Sequence, residues 1–102
     1  MLTFNLKKQW YDKIASGEKR IEYREANPYW TKRIEKVWTL KDRFFSLTQP
    51  KNCLHIPCVF RLGYTRKYLN AVIDEIHIVD GKETDLCVDK PVYAMHFELE
   101  EE

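Results

Sequence analysis

One stretch limits the possible folds more than any other. From Tyr68 to Val79 apolar residues alternate at period two, first as Leu69, Ala71 and Ile73, then as Ile76 and Ile78 after Asp74-Glu75. A strict strand keeps its apolar residues on one face, so a change of phase inside one run requires an extra residue, a β-bulge. Bulges are how small barrels turn corners, so this strand belongs in a sheet with partners. The chain has 102 residues, enough for one domain with one core.

The rest of the chain supplies those partners. Leu2, Phe4 and Leu6 alternate with Thr3 and Asn5, which predicts a first strand. From Lys7 to Ser16 the period becomes helical through Trp10, Tyr11, Ile14 and Ala15, and Gly17 provides a left-handed stop. Lys19 to Glu25 returns to period two, with Ile21 and Tyr23 on one face and Arg20, Glu22 and Arg24 on the other. Asn27-Pro28 has the form of a helix start, and Trp30, Ile34, Val37 and Trp38 form the apolar stripe behind it. That stripe, with Trp10, places the tryptophans in the core. Lys41 to Asn52 reads either as a second helix or as an ordered loop ending in turn material.

In the second half, Cys58, Phe60 and Leu62 share a strand face that Gly63 ends. Asp80-Gly81 marks a turn. Pro91 opens a last strand that buries Tyr93, Met95, Phe97 and Leu99, with His96, like His77 before it, facing away from the core. This order predicts an α+β fold, a small mixed β-barrel of about five to six strands with two to three flanking helices. Residues 1–102 are read as one domain with an acidic tail at 100–102.

No unbroken apolar run exceeds four residues, which excludes a spanning helix. No leader-like sequence opens the chain, so no cleaved signal peptide is expected. Cys53, Cys58 and Cys87 are an odd number, which argues against a disulfide framework and for the cytoplasm. Cys53, His55 and Cys58 have metal-like spacing, but zinc sites usually bring two close pairs and Cys87 and His96 stand alone. Neither a metal nor a cofactor is therefore expected. No Ser-His-acid cluster or paired carboxylates stand out. Gly17 to Lys19 lacks the second glycine and the Ser/Thr of a phosphate loop.

The net charge of +1 conceals an asymmetry. Residues 1–51 carry 12 Lys/Arg against 6 Asp/Glu, whereas residues 52–102 carry 5 against 10. The basic half also holds Trp10, Tyr11, Tyr23, Tyr29, Trp30 and Trp38. Basic residues interleaved with aromatics suit a nucleic acid, whose phosphates they neutralise and whose bases stack. The bland alternative is a solvated charged strand beside core aromatics.

The densest cluster is Gly17-Glu18-Lys19-Arg20-Ile21-Glu22-Tyr23-Arg24, a helix stop followed at once by a charged strand. Glu22, between basic neighbours, is expected to hold Lys19, Arg24 or Arg33 in place. The pattern Gly-x-Lys-x-x-Glu-x-Arg resembles the ASCH domain family. Tyr23 to Arg33 resembles its short, single-domain bacterial and phage members. Val59-Phe60-Arg61-Leu62-Gly63-Tyr64 is similar to a second motif of that branch, and Lys90 to His96 to its closing strand. The resemblance covers most of the chain outside about 38–54, which it marks as an insertion.

The resemblance implies a PUA-like fold that binds RNA, nucleotides or modified nucleosides in a cleft beside the barrel. Lys19, Arg24, Arg33 and Arg61 would then meet phosphate or base edges. Glu22 would orient Lys19 or accept from a base amino group, and Tyr29 and Tyr64 would stack. Some family members instead hydrolyse the acetyl group from N4-acetylcytidine with a Lys, a Thr three residues later and a distant Glu. Lys19 matches the first, Glu22 stands where the Thr would be, and Glu83 is the positional candidate for the third. In that enzymatic alternative Lys19, beside Arg24, acts as a base near neutral pH. On either basis, Lys19→Ala is expected to weaken binding with little change in melting temperature.

Overall fold

The computed structural model describes residues 2–37 and 55–100. Trp38, the stretch Lys41 to Asn52, Cys53 and the insertion expected at 38–54 lie outside the described residues; the neighbouring His55 is described and exposed. Of the acidic tail only Glu100 is described; its N–H donates to Asn70 O at 2.9 Å.

Five strands and two α-helices are described: β1 (Leu2–Leu6), α1 (Lys8–Ala15), β2 (Ile21–Glu25), α2 (Pro28–Val37), β3 (Ile56–Leu62), β4 (Tyr68–Asp80) and β5 (Pro91–Leu99). A single turn of 3-10 helix, Gly81–Glu83, joins β4 to β5. The strands form one sheet in the order β1-β3-β4-β5-β2, parallel between β1 and β3 and antiparallel elsewhere. The sheet curls into a half-barrel, a small α+β domain as its period changes predicted.

The curl depends on the bulge. Ile73 pairs with Phe97, and the next pair is Glu75 with His96, so Asp74 is the extra residue. Before the bulge β4 pairs on both sides; β3 reaches only as far as Ile56 opposite Ile73. Beyond it, among the described residues, β4 is bonded to β5 alone. This corrects one expectation. Ile76 is half-buried, but Ile78 is 65% exposed among the described residues.

Phe4, Phe60 and Phe97 fill the concave side, with ring centroids 5.4 Å apart for the first pair and 4.6 Å for the second. Helix α1 adds Tyr11 and Ile14 to this core, and α2 adds Ile34. Full burial of an isoleucine contributes about 1.5–3 kcal/mol, enough to dock a two- or three-turn helix. Gly17, at φ +84°, ends α1, and its N–H donates to Ile14 O at 3.0 Å. Asn27 Oδ1 accepts from Trp30 N–H at 2.9 Å, capping α2 as the Asn-Pro pair predicted. Tyr93 and Thr31 join their hydroxyls at 2.8 Å and pin α2 to the sheet. Strand β5 buries Val92 and Ala94 as well as Tyr93, Met95 and Phe97, so both of its faces are covered.

Candidate functional site

The curl brings the outermost strands, β1 and β2, toward each other without pairing them. Arg24 on β2 reaches across the gap, its Nη2 3.5 Å from Asn5 O on β1. A cleft of about 520 Å³ opens at this seam, a volume within the usual range for small-ligand sites. Strands β1 and β2 form its base. Trp10 from α1, Trp30 from α2, and Asp85 and Leu86 from the β4–β5 connection complete the lining.

A chain of alternating charges runs along it. Lys19 Nζ pairs with Asp85 and lies 3.5 Å from Glu22 Oε1. Glu22 Oε2 accepts from Arg24 Nη2 at 2.8 Å and from Arg24 Nε at 3.0 Å. The Arg24 guanidinium lies 5.0 Å from the Trp30 ring centre and 5.2 Å from that of Phe4. Lys19 Nζ lies 4.9 Å from the Trp10 ring and 5.5 Å from the Tyr23 ring. Cations on ring faces gain up to about 2 kcal/mol when partly desolvated.

The charged face of β2 turns into the cleft, as the strand's alternation and the grouping of Glu22 with Lys19 and Arg24 suggested. Glu22 is only 4% exposed, whereas Ile21 and Tyr23 are half-buried. A carboxylate accepts such burial only when its oxygens are bonded, and Lys19 and Arg24 supply those bonds. The Lys19 side chain is itself just 12% exposed. Its removal would leave Glu22 and Asp85 facing each other, so Lys19→Ala is a structural change as well as a change in the cleft.

Lys19, Glu22 and Arg24 thus come together, and the other sequence candidates do not join them. Tyr29 is 57% exposed on the outside of α2, its ring 4.0 Å from the Arg33 guanidinium, and neither residue lines the cleft. Proline at the first turn leaves Tyr29 pointing outward, and its edge meets Trp30 at 5.2 Å. Arg61 donates to Thr65 O at 3.2 Å within the β3–β4 turn. Tyr64 in that turn is 97% exposed. The cleft aromatics are Trp10, Tyr23 and Trp30, half-buried rather than enclosed in the core.

The acid that reaches Lys19 is Asp85, two residues beyond Glu83. Its loop is tightly held. Gly81 N–H donates to Lys90 O at 2.8 Å, and Thr84 Oγ1 donates to Gly81 O at 2.8 Å while accepting from Leu86 N–H at 3.2 Å. No local pattern marks Asp85; its partner lies 66 positions away.

The cleft's formal charge is balanced. Lys7, Lys19 and Arg24 are matched by Glu22, Glu25 and Asp85, so the basic excess of residues 1–51 does not accumulate here. Cys58, considered above beside His55, is 1% exposed, and its thiol is pushed up to about 12, chiefly by burial and then by the charges of Glu22 and Glu100. A thiol held protonated is a poor metal ligand. No helix among the described residues is long and apolar enough to cross a membrane. No protein-family model, curated protein or solved structure matches the chain.

Proposed function

We propose that the seam cleft binds a nucleobase, either as a nucleoside or nucleotide or within RNA, in a PUA-like module of the ASCH kind. The carrying observation is the chain Asp85–Lys19–Glu22–Arg24 laid between Trp10 and Trp30. Bases are planar and uncharged, with donors and acceptors side by side on one edge. A neutral cleft with alternating ammonium, carboxylate and guanidinium groups matches such an edge, and the indoles offer stacking surfaces worth about 1–3 kcal/mol per base. A site built only for phosphate would carry an unbalanced positive charge. Phosphate contact therefore falls to basic residues outside the cleft, Arg33 and Arg61 among them.

Tryptophan fluorescence tests this proposal. Titration with cytidine, N4-acetylcytidine and a short single-stranded RNA is expected to give saturable quenching with at least one of them. Asp85→Asn, on the connecting loop, should weaken that response at least about tenfold, since a bonded charged partner is worth about 1.5–3 kcal/mol. Absence of saturable quenching by all three, or an unchanged response in Asp85→Asn, would overturn the proposal.

A hydrolase reading has one observation in its favour: Lys19 Nζ contacts two carboxylates inside an accessible cleft. Glu22 offers no hydroxyl nucleophile, so water would be the attacking group, with Asp85 taking its proton and Lys19 facing the developing oxyanion. Addition of water to the N4-acetyl amide would release acetate and cytidine. Acetate formation above that of Asp85→Asn selects this reading; binding without acetate selects the binding module.

A further inference from the structure

A second cluster of chemically competent side chains lies away from the cleft, at the bulge. Glu75, His77 and His96 place one carboxylate oxygen and two imidazole nitrogens all within 4.8 Å of one another. His77 Nε2 is 2.8 Å from Glu75 Oε1, and the two imidazoles meet edge to face at 5.6 Å between centres. None of the three lines the cleft.

The backbone explains why they meet. Glu75 and His77 are two apart on β4 and therefore share a face. His96 on β5 pairs directly with Glu75, which puts its side chain on that same face. This pairing exists only because Asp74 is inserted: an unbulged register continuing from Ile73 and Phe97 would set Asp74, not Glu75, opposite His96. The bulge that curls the sheet also assembles this triad.

We propose that Glu75, His77 and His96 form a binding site for a late first-row divalent cation, zinc above all. Two imidazoles and one carboxylate are a ligand set that zinc takes in open sites, leaving a further position for water. Bonds of about 2.0–2.2 Å in tetrahedral arrangement set ligand atoms about 3.4 Å apart. Side-chain rotation about χ1 and χ2 closes the remaining gap, since His77 is exposed and on a regular strand. Imidazole nitrogen disfavours magnesium and calcium, which prefer all-oxygen shells.

The test uses tag-free, chelator-treated protein and isothermal titration with zinc chloride, with cobalt(II) absorption as a second readout. One zinc per chain is expected, reversed by EDTA, with visible cobalt bands of low-coordinate type and no response to magnesium. His77→Ala and His96→Ala should each weaken binding at least about tenfold, since even loss of a residue supporting a ligand costs 10–100-fold. Cys87→Ser, which removes an exposed thiol, should leave binding unchanged. Circular dichroism without metal reports whether each variant folds; if His96→Ala does not, His77→Ala and Glu75→Gln decide. Failure of the wild-type chain to bind zinc, or binding that survives the histidine variants, would refute the site.

Discussion

Glu22 accepts both the Nε and Nη2 donors of Arg24 on one carboxylate oxygen, at 3.0 and 2.8 Å, and turns its other oxygen toward Lys19. A single buried carboxylate thereby bridges two cations, with Asp85 supplying the second negative charge, and fixes the floor of the cleft. The pair carries stability as well as ligand geometry.

Removing one member of such a group leaves uncompensated charge in a poorly solvated place. Glu22→Gln is expected to lower unfolding free energy by about 3 kcal/mol. Urea denaturation of Glu22→Gln, Arg24→Ala and the double variant gives the coupling directly. Strictly additive losses would show that the two side chains do not support each other.

Gly81 admits no side chain. A Cβ there would stand 2.5 Å from Lys90 O and 2.6 Å from Val88 O, both backbone atoms that cannot swing aside. Gly81→Ala should cost about 2 kcal/mol or more by displacing the loop that delivers Asp85. Amide exchange checks it: the Val88 N–H, which donates to Gly81 O at 3.3 Å, should exchange faster in the variant. An unchanged rate would mean that the loop absorbs the extra carbon.

Cys58 predicts an alkaline limit. Its thiol is raised from 9.0 to about 12 in the folded chain, so the folded state keeps a proton that the unfolded state releases. The resulting stabilisation is complete below about pH 9 and is lost as pH rises toward 12. Across that window the slope approaches about 1.4 kcal/mol per pH unit. Denaturation midpoints between pH 8 and 11 should fall more steeply for the wild-type chain than for Cys58→Ala; parallel curves would contradict the assignment.

Most of the architecture was legible because its signals are local. Gly17, Asn27-Pro28 and the phase change around Asp74-Glu75 each act through neighbouring residues, and each marks its element where the structure has it. The grouping of Glu22 with Lys19 and Arg24 was legible from their spacing on one strand, but the depth of its burial was not, because that depends on the distant Asp85 as well. Ile78 was assigned inward because alternation alone does not show how far along a strand the core extends. Trp10 and Trp30 followed apolar stripes correctly, yet a stripe does not distinguish a core wall from a cleft wall. The triad at the bulge stayed hidden since His96 gains its partners through pairing across strands, although Glu75 and His77 already stood two apart.

The strand order has a kinetic consequence. Strands β3, β4 and β5 follow one another as antiparallel neighbours, whereas Leu2 must find Cys58 and Ile21 must find His96. Local pairings close sooner because they demand less loop entropy, so the C-terminal three strands form the nucleus on which the first twenty-five residues later dock. Every strand that lines the cleft belongs to those late arrivals. During synthesis the strands of the cleft emerge first, and Glu22 can take up its buried position only once β5 has emerged to pair with β2.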